Sequence, residues 1–309
     1  MNQVKNLDYL LIDANCLIHP VCFKTLADNP NEKDFAKLEG KMRVNVIEYI
    51  EKLINYVQPK KGIYLAIDGV APVAKIKQQR SRRFKSVNDR RLFDNIRKKH
   101  NKEIPIFWNN SAISPGTVFM KSLHNHIEKW KPEYSTKHKL EIIYSPCYSP
   151  SEGEHKLLQF IRQNIKSKKK YTYVMYGLDA DLIFLTLSTG LKDTFLLREA
   201  QEFNKKAHKD ELNFVSINIM RQAIVETIKK EIEKNDDYIE EQYELLLTMI
   251  DEDKLIDDFI FICILMGNDF LPHLPSLDIY EGAVDFLIEK YIDVLVSNYS
   301  KKLELEYII

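Results

Sequence analysis

Cysteine is scarce in this chain. There are four in 309 residues, at positions 16, 22, 147 and 263. None stands in a C-x-x-C spacing, so neither a zinc site nor a disulfide framework is expected, and a reducing compartment fits. Cys263 reads as a small core residue. Glycine is also sparse, at nine residues, and neither a Gly/Ser linker nor an internal repeat is present. No stretch approaches the roughly 18 apolar residues that cross a bilayer, so no membrane span is expected. The opening Met-Asn-Gln-Val-Lys-Asn has no apolar signal segment. These absences point to a cytoplasmic chain, with Lys166-Ser-Lys-Lys-Lys170 as a nuclear alternative, although a solvated loop is the plainer reading of that cluster. Formal net charge is zero, which argues against a simple nucleic-acid coat.

What is present is unevenly placed. Residues 75–102 hold twelve Lys and Arg against two Asp, and residues 231–258 hold twelve acids against two Lys. Hydrophobic residues make up 45% of the chain, enough for a sizeable core. Strands are expected at 7–13, 62–67, 140–144, 171–176 and 194–197, with an extended run at 213–217. Helices are expected at 41–57, 73–100, 115–131, 153–165, 180–187, 218–234, 238–249, 254–266 and 278–296. Buried strands that alternate with helices imply an α/β fold, a central mainly parallel twisted sheet with helices on both faces. Functional groups in such folds gather at the carboxyl ends of the strands.

Seven acids sit where strands and helices end: Asp13, Asp68, Glu152, Glu154, Asp179, Asp181 and Asp269. Each closes or follows an apolar run or opens the next element. Anions crowded in one cleft repel unless a hard divalent cation neutralises them, and oxygen donors suit Mg²⁺ or Mn²⁺. Some of these acids also have a plainer local role. Asp179 and Asp181 suit a helix N-terminus, Ser151-x-x-Glu154 matches a capping box, and Asn268-Asp269 suits a turn. Capping explains any one pair, but not all of these sites together.

The segment that begins seven residues after Asp68 places Lys75, Gln79, Arg82 and Arg83 on one side of a helix. Such a set suits a terminal phosphate, and a solvated basic helix is the alternative. His19 follows Asp13 on an apolar segment. It reads equally as a core residue or as a group that stacks on a base.

Together these motifs resemble the XRN family of 5′→3′ exoribonucleases. The resemblance is carried by Asp13-x-Asn15-x-x-Ile18-His19, Ala66 to Lys75 with Arg80 to Phe84, Ile113-Ser-Pro-Gly-Thr117, Glu152-Gly-Glu-His-Lys156, Tyr176-Gly-Leu-Asp-Ala-Asp-Leu182 and Gly267-Asn-Asp-Phe-Leu-Pro-His273. It spans about residues 7 to 292. The resemblance implies a PIN-like, 5′ nuclease fold and Mg²⁺-dependent removal of mononucleotides from single-stranded RNA with a 5′-monophosphate. All seven acids would build the metal site. Asp68, Glu154 and Asp179 would hold one of two ions, and Asp181 and Asp269 would lie near the second. Asp13 and Glu152 would act directly or through water. Lys75, Gln79, Arg82 and Arg83 would grip the phosphate, and His19 would stack on the first base.

In domain terms, the resemblance implies a single nuclease domain over 1–309, with a helical excursion at about 218–256 and a C-terminal helical segment at 257–309. The family's opening Gly-Val-Pro-x-Phe-Phe segment and its second conserved region are missing from the pattern. A protein partner or a further C-terminal region would then complete the active-site lid. Ser114, Ser151 and Val73 stand where the family more usually has Thr, Gly and Arg. The rival readings are a flap endonuclease and a non-catalytic RNA-binding scaffold.

Overall fold

Strand β1 (Tyr9–Asp13) is buried along its whole length and lies in the middle of a six-stranded sheet. In this computed structural model, residues 6–104, 107–199, 211–234 and 247–306 are described. The other strands are β2 (Gly62–Ala66), β3 (Glu141–Ser145), β4 (Tyr173–Tyr176), β5 (Thr194–Glu199) and β6 (Leu212–Ser216), in the spatial order β3-β2-β1-β4-β5-β6. β1 pairs in parallel with β2 and β4, β2 with β3, and β4 with β5. The register sets Asp13 opposite Ala66, Ile12 opposite Tyr176 and Ala66 opposite Ser145. Four neighbouring strands therefore finish at nearly the same level.

Alternation along the strands separates two faces. Leu10, Ile12, Ile63, Leu65, Val174 and Tyr176 join one core cluster with residues of α1 (Asn15–Asp28), α2 (Phe35–Val57) and α4 (Val118–His138). On the other face α5 (Gly153–Lys166) packs on β1 and β2, and Phe160 stacks on Tyr64 with centroids 4.8 Å apart. The expected sheet with helices on both faces is what the chain forms.

The first helix lies where no element was expected. Pro20 and the Asn29-Pro30-Asn31 break hide it, yet Leu17, Ile18, Val21, Cys22 and Thr25 form a buried face at helical spacing. α2 starts at Phe35 rather than 41 because Asp34 accepts the N–H groups of Ala36 and Lys37. α4 begins at Val118, after the Pro115-Gly116 turn, where Thr117 accepts from Met120 N–H. It runs through Pro132, past the expected end at 131, because Tyr134 is buried and packs on Trp130.

The chain divides into two compact units, Met1–Leu182 with Asp193–Val215, and Ile183–Lys192 with Ser216–Ile309. In the second, α7 (Ile217–Glu233), α8 (Glu252–Ile264) and α9 (Ala283–Glu306) pack on one another. Arg221 is buried there, pairing with Asp253 and donating to Leu187 O. Asp251 caps α8 by accepting from Asp253 and Lys254, so part of the acidic run serves a helix N-terminus. The final helix starts later than expected because Gly282, at φ 80°, ends a short 3-10 turn just before it. Most of the expected helix 238–249 lies outside the described residues. Cys263 is half-buried rather than in the core. No helix among the described residues is long and apolar enough to cross a membrane.

Candidate active site

Six of the seven acids lie in the first unit, and strand order explains why they meet. Asp13 ends β1, Asp68 follows β2, Glu152 and Glu154 follow β3, and Asp179 and Asp181 follow β4. Adjacent parallel strands with level ends present these loops side by side.

The backbone draws the loops together. Gly153 N–H donates to Asp68 Oδ1 at 2.6 Å, and Asp68 N–H donates to Asn15 Oδ1 at 3.2 Å. Asn15 N–H donates to Asp13 Oδ1 at 3.3 Å, and the Cys16 thiol donates to Asp13 Oδ2 at 3.4 Å. Leu178 N–H brings in the loop after β4 by donating to Cys16 Sγ. Gly69 N–H donates to Ser151 O, and Ser151 N–H donates to Val70 O, so the loops after β2 and β3 are laced together. Below them Lys156 is buried, its ammonium donating to Ile67 O at 2.6 Å and Pro146 O at 3.0 Å.

Asp13, Glu152 and Glu154 are buried, whereas Asp179 is exposed at the mouth. Burial, then the negative charge of Asp68, pushes Asp13 up to about 7. Burial and the charges of Asp13, Glu152 and Asp181 push Glu154 up to about 8. Asp68 is raised by burial and partly held down by the Gly153 N–H and by Lys156 and Lys75. Glu152 is raised by burial against the pull of Lys75. Mutual repulsion of this kind is what a divalent cation relieves.

The donors fit such an ion. Ligand atoms of Asp13, Cys16 and Asp179 lie within 4.8 Å of one another, as do those of Glu152, Glu154 and His155. Glu152 Oε2 is buried without a hydrogen-bond partner. Burial keeps the Cys16 thiol protonated, so the anionic donors of the cluster are oxygens, suited to Mg²⁺ or Mn²⁺.

Capping does not explain Glu152 and Glu154. Glu152 occupies the N-cap of α5 but makes no capping hydrogen bond, and Ser151 lies one residue further out at φ 87°. The capping box suggested by Ser151-x-x-Glu154 is therefore not formed. Asp269 belongs to the second unit, half-buried in the turn after α8, where Asn268 Oδ1 accepts from Phe270 and Leu271.

The basic set lies on α3 (Val73–Lys99). Lys75 is the one buried residue of this helix, and its ammonium lies 3.1 Å from Glu152 Oε1. Gln79 is half-buried, while Arg82 and Arg83 are exposed. Arg83 donates to Ser114 Oγ at 3.0 Å. His19 is half-buried on α1 without a hydrogen-bond partner among the described residues, and burial lowers its pKa. Sequence reasoning gave no separate role to Asn15, Cys16, His155 and Lys156. Three of them, Asn15, His155 and Lys156, sit inside the motifs that carried the resemblance.

Comparison with known proteins identifies the family. The family model described as XRN 5′-3′ exonuclease N-terminus matches residues 1–200, and that of the Xrn1 helical domain matches residues 249–305. A 5′-3′ exoribonuclease 2 from Eremothecium gossypii is 34% identical over 96% of this chain and 34% of its own length. The protein of that name from Saccharomyces cerevisiae is 33% identical over 95% of this chain and 32% of its own length. The one from Schizosaccharomyces pombe is 35% identical over 91% and 31%. The chain thus spans about a third of the length of these curated relatives. A solved structure of T5 D15 protein co-crystallised with metal ions covers 96% of this chain and 97% of its own at 9% identity, with a TM-score of 0.32, too loose a likeness to argue from. On the strength of the family model and these relatives, the chain belongs to the XRN 5′-3′ exonuclease family.

Proposed function

We propose that this chain is a 5′→3′ exoribonuclease that hydrolyses single-stranded RNA from a 5′-monophosphate end with the help of Mg²⁺. The observation that carries the reading is the convergence of six carboxylates at level strand ends beside the first turn of a basic helix. Asp13, Asp68, Glu152, Glu154, Asp179 and Asp181 would hold two divalent ions. Bound there, the ions supply Lewis acidity for a water nucleophile and for the leaving 3′-oxygen.

The chain's own groups do the remaining work. Gly153 N–H and Asn15 fix the orientations of Asp68 and Asp13. Lys156 supports the loops that follow β2 and β3 from beneath. Lys75, Gln79, Arg82 and Arg83 would bind the terminal phosphate, and His19 would meet the first base. Contacts of these kinds carry no sequence preference.

The test is degradation of RNA by the purified 309-residue chain, comparing 5′-monophosphate with 5′-hydroxyl ends, in Mg²⁺ and in EDTA. Release of mononucleotides from the monophosphate end, in Mg²⁺ alone, is the expected result. Cutting that ignores a 5′-hydroxyl would favour a flap endonuclease. Binding without degradation would make the chain a scaffold.

A further inference from the structure

Lys75 and Glu152 share a contact that neither a plain metal site nor a plain phosphate site requires. Their side chains are 11% and 7% exposed and lie 3.1 Å apart. Glu152 spends only one oxygen on this pair. Its Oε2 is buried without a hydrogen-bond partner, with His155 Nδ1 3.9 Å away. A buried carboxylate oxygen left without a donor is a standing cost, and one that a ligand can remove. One ammonium stands in for positive charge within the carboxylate cluster, while its helix presents Gln79, Arg82 and Arg83 to a phosphate.

We infer that Lys75 is an exchange partner that couples cation binding to phosphate binding. With the site empty it is held by Glu152. When a divalent cation takes Glu152, Lys75 passes to the terminal phosphate. The inference rests on the site reading above and adds a regulatory consequence to it. Both ligands break the same ion pair, so whichever binds second meets a site already opened. A cation beside Lys75 also repels it, and a phosphate dianion relieves that repulsion. The coupling is positive, and by linkage it is reciprocal. The chain would then load its ions most tightly when an RNA end with the correct 5′-monophosphate is in place.

Binding, not turnover, is the readout. Mn²⁺ affinity of the full chain is measured by the electron paramagnetic resonance of free Mn²⁺, alone, with AMP and with adenosine. AMP should tighten Mn²⁺ about fivefold or more, and adenosine should not. Lys75→Met keeps length and removes charge. It should bind Mn²⁺ more tightly than wild type without AMP, and AMP should then change the affinity less than twofold. Glu152→Gln provides a second variant. It should bind AMP several-fold more tightly than wild type in EDTA, because Lys75 is released. Mn²⁺ binding by wild type that is indifferent to AMP overturns the coupling alone. Full AMP enhancement in Lys75→Met also overturns it, since a phosphate ligating the cation directly would give that result. AMP binding unchanged in Glu152→Gln counts against the exchange in the same way. Wild type that binds no Mn²⁺ removes the metal site and the coupling together.

Discussion

Asp13 stands so close to Gly153 that a side chain there has no room. A Cβ on Gly153 would press against Asp13 Oδ1 and lie 3.3 Å from Asp68 Oδ1. The glycine is what lets the N-terminus of α5 reach the loops after β1 and β2, and its N–H then fixes Asp68. Gly153→Ala should keep the fold, since alanine in a helix gains about 1 kcal/mol over glycine and offsets part of the clash. The two carboxylates would be pushed apart, and a misplacement of about 1 Å costs about a hundredfold in rate. Circular dichroism should be unchanged and Mg²⁺-dependent RNA hydrolysis strongly reduced. Turnover within twofold of wild type would show that the close approach does not matter.

The crowded acids make stability depend on pH. Asp13 and Glu154 are raised to about 7 and about 8, so each binds its proton more tightly folded than unfolded. Their contribution is full below the ordinary carboxylate value near 4 and is lost as pH rises through 7 and 8. The melting temperature in EDTA should fall between pH 5 and pH 8.5. Saturating Mg²⁺ should flatten the fall, because it binds the ionised forms. A melting temperature that is level or rising in EDTA over that range would contradict the repulsion argument.

Much of this was legible in the sequence because it rests on local signals. Buried runs ending in acids gave β1, β2 and β4 with Asp13, Asp68 and Asp179, and parallel pairing then made their convergence a matter of topology. α1 escaped because Pro20 and the Asn29-Pro30 break mask its apolar spacing. The true end of α4 escaped because tertiary packing of Tyr134 overrides Pro132. The Lys75–Glu152 pair was beyond reach in kind, since no local pattern says that a helix residue will meet the N-cap of another element. The Cys16 thiol on Asp13 joins residues only three apart. Its use as a donor still depends on the fold, which sets the thiol between Asp13 Oδ2 and Leu178 N–H.

Ser151 occupies a backbone conformation, φ 87°, that costs an L-residue about 1–2 kcal/mol relative to glycine. The conformation is imposed by the lacing of Ser151 N–H to Val70 O and of Gly69 N–H to Ser151 O. Ser151→Gly relieves the strain but raises the entropy of the unfolded chain by about 0.5–1 kcal/mol. A net gain of about 0.5–1 kcal/mol is expected, read as a higher urea midpoint with an unchanged slope. A lower midpoint would mean that the serine side chain contributes more than the strain removes.

Asp179 is the acid best placed to separate chemistry from folding. It is exposed at the mouth of the cluster, so Asp179→Ala should change stability by no more than about 0.5 kcal/mol. Its ligand oxygen lies within 4.8 Å of those of Asp13 and Cys16, and its charge helps to raise Asp13. Removing it should abolish hydrolysis of 5′-monophosphate RNA. RNA binding should persist, because α3 and its cations are untouched. The same substitution should lower Asp13 towards the ordinary carboxylate range, which a pH titration of the apo protein followed by NMR of that carboxyl would detect. Unchanged turnover in Asp179→Ala would remove this residue from the metal site, and with it the assignment of the loop after β4 to catalysis.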